Sequence, residues 1–282
     1  MNPIKAWLLA IRPKTLAGAL APIGVALTMA WVNGYFLWKP ALLCAVFALL
    51  MQIDANLIND YFDYRNGTDG EERLGPERAC ARGWISPHAM LVGIILCTLS
   101  ACLVGLPLVH WGGWEMILLG LICVLACFLY TTTFSRVALG DLLVLLFFGI
   151  IPVCVTYYLQ VGEISRQVLM ASVAMGLVTD CLLLVNNYRD RDTDYWAGKR
   201  TLVVIIGGRA TLWLYFWLGP LAIALVFPTT ILPLLYLPLH LHNWQSMFRI
   251  HKGRELNTVL GRTSLAILLF AILYCAGVVL EM

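Results

Sequence analysis

Nine apolar stretches, each near the length needed to cross a bilayer, dominate this chain: about 16–38, 41–59, 88–110, 114–134, 139–160, 167–187, 210–227, 229–248 and 260–280. In hydrocarbon no water satisfies a peptide group, so only helices and closed barrels span it. A spanning helix takes about 20 residues and a barrel strand about 10. These stretches have the helical length. The expected fold is all-α: a polytopic membrane helix bundle of about nine transmembrane helices, forming one domain over 1–282. The seventh and eighth stretches are short and meet at Pro228, so eight helices also fit. Charged residues make up 12% of the chain, against about 25% in soluble domains. That argues against a soluble helical domain with a large core.

Lys and Arg set the orientation. With the N-terminus inside, every Lys and Arg except Lys39 and Arg166 falls on the cytoplasmic side, and the C-terminus lies outside. No cleaved signal peptide is expected. Ala19-Leu20-Ala21 imitates a cleavage site, but Arg12-Pro13-Lys14 interrupts the apolar run that should precede it. All nine cysteines except Cys80 lie in apolar stretches and none makes a CxxC pair, so no disulfide framework is indicated. His88, His110, His240, His242 and His251 form no metal constellation. The chain has no GxxxxGK loop, nucleophile elbow or Rossmann glycine pattern. Nothing points to nucleic acid.

Two polar clusters end the second and sixth stretches. The first is Asn59-Asp60-Tyr61-Phe62-Asp63, followed by Asp69; the second is Asn186-Asn187-Tyr188-Arg189-Asp190, followed by Asp194. Asn59 and Asp63 stand four apart, as do Asn186, Asp190 and Asp194, so each cluster lines one helix face with oxygen donors. Asn59 matches Asn186 and Asp63 matches Asp190 at one offset, a weak internal repeat. Each cluster opens a polar, basic connection, at about 60–87 and 188–209, and both connections face the cytoplasm in this orientation. Acids at a membrane helix end are costly without cationic partners. Two such faces, each followed by Arg and Lys, suit Mg2+ and a phosphorylated substrate. Asp54 and Asp180 lie inside predicted spans, where an acid is a functional candidate by default. Asp180 is seven before Asn187, deeper in the bilayer on the same side of the helix. It is read either as part of a hydrogen-bonded polar core or as a group that shapes an aromatic pocket or takes a proton there.

Asn186-x-x-x-Asp190-x-x-x-Asp194, with the related Asn59-x-x-x-Asp63, resembles the UbiA superfamily of intramembrane prenyltransferases. The resemblance covers nearly the whole chain. It implies nine transmembrane helices and two Asp-rich motifs that bind Mg2+ and an isoprenyl diphosphate. One position departs: the third site of the first motif is Gly67, and the acid comes two residues later as Asp69. Further segments narrow the match: Arg12-Pro13-Lys14-Thr15-Leu16, Asn56-Leu57-Ile58-Asn59-Asp60-Tyr61, Leu74-Gly75-Pro76 with Gly83-Trp84-Ile85, Gly140-Asp141 with Phe147-Phe148-Gly149, and Gly198-Lys199-Arg200-Thr201-Leu202. In that order they resemble the 1,4-dihydroxy-2-naphthoate prenyltransferases of menaquinone synthesis. That implies transfer of a polyprenyl chain from polyprenyl diphosphate to 1,4-dihydroxy-2-naphthoate, with loss of diphosphate and CO2, in a bacterial inner membrane.

On this reading Asn59, Asp63, Asp69, Asn186, Asp190 and Asp194 are the candidate Mg2+ ligands. Asp63, Asp190 and Asp60 are the candidate catalytic groups, Asp60 orienting a ligand or a base. Asn56 is a secondary candidate. Arg12, Lys14, Arg65, Arg136, Lys199 and Arg200 are candidates for the diphosphate or the naphthoate carboxylate; Arg78 and Arg82 rank below them. Two other readings stay open. One is a prenyltransferase for another acceptor such as 4-hydroxybenzoate. The other is a membrane transporter, which would place its acids near the midplane.

Overall fold

The ends of the helices explain where each begins. The computed structural model describes residues 1–67 and 74–281, and Asp69 and Arg73 lie outside them. Helix α1 (Pro3–Ile11) starts with proline after Asn2, whose side chain accepts from the Ile4 amide. At the first turn proline gives up no hydrogen bond. Arg12 then takes a left-handed conformation (φ 54°) and turns the chain into α2 (Pro13–Val32). Next come α3 (Trp38–Arg65), α4 (Pro87–Gly112), α5 (Glu115–Thr132), α6 (Gly140–Val161), α7 (Arg166–Trp196) and α8 (Leu202–Val226). Ser86, Ser165 and Thr201 cap α4, α7 and α8 by accepting the amides of Ala89, Val168 and Val204. The chain ends with α9 (Leu237–Ile250) and α10 (Leu256–Leu280).

Among the described residues, eight helices (α2 to α8, and α10) are long and apolar enough to cross a membrane. The stretch expected at 229–248 is a tight turn, Leu232–Tyr236, running directly into α9. Together they rise about 30 Å, enough to cross, although His240, His242 and Asn243 lower the hydropathy. His240 points inward and bonds Tyr236 and the Phe216 carbonyl, whereas His242 contacts Arg262.

Several expected boundaries move. The apolar pattern stops near 59 and 187, but α3 continues to Arg65 and α7 to Trp196. The helix does not end where carboxylates begin; the four-residue spacing of the motifs continues it. Helix α8 starts at Leu202, well before 210, with a break at Gly207 (φ 78°, ψ 163°). Only glycine adopts that conformation without strain.

Helix α7 is the centre of the bundle. Two thirds of its apolar window (67%) is buried, against 6% for α5. Leu118, Leu121, Ile122 and Leu125 of α5 are exposed, an apolar face that suits lipid. The core between α2, α6, α7 and α10 holds Val25, Val153, Met175, Val178, Phe270 and Tyr274. Helices α6 and α7 touch backbone to backbone: a Cβ on Gly149 would lie 2.6 Å from the Gly176 Cα, and one on Gly176 would lie 2.9 Å from the Leu145 carbonyl oxygen. The turn of α6 at Leu146–Ile150 is a π-bulge, an insertion often found at functional sites.

Candidate active site

The C-terminal end of α3 divides its polar residues between two tasks. Asn59 accepts a hydrogen bond from Thr131 of α5. Asp63 pairs with buried Arg78 at 2.8 Å. Asp60, expected among the catalytic groups, is buried and accepts from the backbone amides of Ala79 (2.9 Å) and Cys80 (3.0 Å). Both of its oxygens are thus engaged with the return loop that carries Arg78. Asn56, the secondary candidate, uses its side-chain NH2 for the fold. Its amide donates to the Ile11 carbonyl (2.8 Å) and to Thr15 Oγ1 (3.0 Å). It thereby anchors the α1–α2 corner that carries Arg12 and Lys14 beside the motif.

On α7, Arg189 organises the second motif. Its guanidinium donates to both Asp190 oxygens (2.7 and 2.5 Å), to Asn186 Oδ1 (2.9 Å) and to Asn257 Oδ1 (2.6 Å). Forked pairing of this kind is among the strongest that side chains make. Asn257, at the start of α10, also donates to the Leu74 carbonyl (2.9 Å). One asparagine thus ties the second motif to the loop that follows the first. Asp194 is paired with Lys199 at 3.5 Å.

The two acidic faces converge. Asp194 lies within electrostatic range of both Asp190 and Asp63. Tyr130 of α5 sits within range of Asp63, Asp194, Asp141 and Asp180. A small polar cavity beside it is lined by Tyr130, Gly140, Asp141, Asn187 and Thr201. The cavity takes Asn187, while its neighbour Asn186 is held by Arg189. The expected basic residues gather around the same end. The Arg200 amide donates to the Arg136 carbonyl at 2.9 Å, so two of them share one corner. Arg65 leans on the Tyr61 ring at 5.9 Å. Arg12 is half-buried and Lys14 exposed. Three functional candidates were missed or undervalued from sequence. Arg189 was counted only as a topological charge, since neighbours on a helix do not normally face each other. Arg78 ranked low, and Asn257 carried no motif. Their signal is spatial and needs the fold.

The donor set suits a hard divalent cation. Asn59, Asp63, Asn186, Asp190 and Asp194 offer oxygen alone. Among the described residues no group of three His, Cys, Asp or Glu is placed to hold an ion by itself. Mg2+ fits that arrangement, because it keeps several waters and takes one or two carboxylates plus substrate phosphate. Each motif carboxylate already faces a cation: Arg78, Arg189 or Lys199.

The chain is 37% identical over 212 residues, 72% of its length and 69% of the relative, to the 1,4-dihydroxy-2-naphthoate octaprenyltransferase of Escherichia coli. It is 34% identical over 277 residues, 94% of each protein, to the enzyme of that name from Mycobacterium tuberculosis. Its fold resembles the solved structure of a UbiA homolog from Archaeoglobus fulgidus bound to GPP and Mg2+ (TM-score 0.67, 15% identity, 97% and 99% of the two chains). It also resembles the apo structure of a homolog from Aeropyrum pernix K1 (TM-score 0.68, 16% identity, 96% and 98%). The UbiA prenyltransferase family matches residues 19–270, and with that match the chain belongs to this family of membrane prenyltransferases.

Proposed function

We propose that the protein transfers a polyprenyl group from polyprenyl diphosphate to 1,4-dihydroxy-2-naphthoate, releasing diphosphate and CO2 to give demethylmenaquinol. The observation that carries this reading is that Asn257 ties Arg189 of the second motif to the loop after the first, with Asp194 in electrostatic range of Asp63 and Asp190. The relatives that bear the naphthoate name support the acceptor. Asn59, Asp63, Asp190 and Asp194 are the residues that would hold Mg2+. The chemistry bound Mg2+ supplies there is neutralisation of the charge that gathers on the departing diphosphate. Lys199, Arg200, Arg136 and Arg12 take the remaining diphosphate oxygens. Arg78 and Arg189 hold Asp63 and Asp190 in place. Tyr130 presents its ring beside the allylic carbon, where an apolar, electron-rich face favours developing positive charge. The surrounding helices exclude water, which would otherwise capture that carbon. The Lys and Arg distribution supports a cytoplasmic N-terminus and cytoplasmic motif loops in a bacterial inner membrane.

Purified Asp63→Ala and Asp190→Ala, given Mg2+, naphthoate and polyprenyl diphosphate, should lose about a hundredfold or more in turnover. Product would be read by mass spectrometry, and insertion by thermal unfolding in detergent. Full turnover by both folded variants would remove the proposal.

A further inference from the structure

A second pair of carboxylates lies behind the diphosphate site, and the motifs do not use it. Asp141 opens α6, and Asp180 sits on α7 two turns before Asn187, about 10 Å deeper. Leu145 and Gly176, about one turn from Asp141 and Asp180 respectively, pack against each other and bring the two helices together near this level. Asp180 is 7% exposed. In both residues Oδ1 is buried, and no donor among the described residues reaches it. The two carboxylates lie within each other's field, and neither forms an ion pair among the described residues. This sets them apart from the motif acids, each of which has a cation. A buried carboxyl oxygen without a donor is costly, so a ligand that supplies one is favoured there. Tyr130 lies within range of this pair and of Asp63 and Asp194 together. The small polar cavity lined by Tyr130 and Asn187 opens onto Asp141.

We infer that Asp141 and Asp180 seat the hydroxyl groups of the aromatic acceptor, and that Asp180 takes the proton from the hydroxyl that activates the ring. The inference rests on the proposed function. The hydroxyl proton passes to Asp180, and the oxygen's electron pair moves into the ring. The ring carbon then bonds to the allylic carbon, whose C–O bond breaks with its pair leaving on diphosphate. When the carboxylate on that carbon departs as CO2, its bonding pair restores the aromatic ring, and the oxygen recovers its proton from Asp180. Asp141 accepts a hydrogen bond from the acceptor and orients it. Aromatic hydroxy acids with a free hydroxyl fit this seat; their methyl ethers do not.

The test compares the wild type with Asp180→Asn and Asp141→Asn in the full-length protein. For Asp180→Asn, kcat should fall by about 10²–10⁴, with KM for polyprenyl diphosphate within twofold of wild type. Its residual rate should rise with pH in step with ionisation of the acceptor's own hydroxyl. Acceptors with more acidic hydroxyls should narrow the gap to wild type. For Asp141→Asn the expected effect is a tenfold or larger rise in acceptor KM. Folded variants with wild-type kcat and acceptor KM would overturn the inference. If Asp180→Asn does not fold, Asp141→Asn decides by the same KM comparison. A wild type that prenylates no hydroxyl-bearing aromatic would instead overturn the proposed function beneath it.

Discussion

At the scale of single residues, the roles here are set by what each carboxylate already touches. Asp60 and Asp63 stand three apart on one helix, yet one holds two backbone amides and the other holds Arg78. Replacing Asp60 by Asn would turn an NH2 group toward one of those amides, donor against donor. An unsatisfied buried donor costs about 1–3 kcal/mol. Asp60→Asn should therefore lower the thermal midpoint and weaken Mg2+ dependence through a displaced Arg78 loop, with turnover following the folded fraction. A normal midpoint with turnover abolished at saturating Mg2+ would assign Asp60 a catalytic role instead. The four-residue spacing makes Asn59, Asp63, Asp190 and Asp194 legible without coordinates, because helical geometry alone puts them on shared faces. Arg189 and Asn257 are not legible that way. One reaches round its own helix, and the other comes from the last helix in the chain.

At the scale of helices, hydropathy located the spans but not their ends. The apolar signal fades where function begins, so α3 and α7 run past their predicted ends into the motifs. Gly149 and Gly176 were equally silent in composition, because a close helix contact is a relation between two segments. The contact makes a sharp prediction. A Cβ on Gly176 would lie 2.6 Å from Leu145 Cδ1 and 2.9 Å from its backbone oxygen. Backbone cannot step aside as a side chain can, so Gly176→Ala should cost about 1–3 kcal/mol by overpacking. It should also pull Asp141 from Asp180 and cut turnover beyond what lost stability explains. Gly120 of α5 meets nothing within 4 Å, so Gly120→Ala should leave both unchanged. Thermal midpoints and turnover of the two variants in one detergent would settle the comparison, and equal behaviour would refute the packing argument.

For the whole molecule, connectivity decides the one span that hydropathy leaves ambiguous. Helix α8 starts at the motif end, where Lys199 pairs with Asp194 and Arg200 meets Arg136, and it runs away from that end. Helix α10 starts back at the motif end, where Asn257 bonds Arg189 and the Leu74 carbonyl. The chain must return between them, and 232–250 is the segment that does so, arriving where Lys252 reaches Asp192 at 3.3 Å. Its polar residues are tolerated because His240 and Asn243 are fully buried inside the bundle. Labelling with a membrane-impermeant maleimide tests this, since reaction needs a thiolate in water and the native cysteines are buried or in membrane helices. Lys252→Cys should react only from the cytoplasmic side, in inverted vesicles. Glu163→Cys, in the turn between α6 and α7, and Ile231→Cys should react only in intact cells. Reversal of all three would invert the orientation. If Lys252→Cys instead reacts in intact cells, together with Ile231→Cys and Glu163→Cys, then 232–250 does not cross, and the bundle has eight spans with both chain ends on one side.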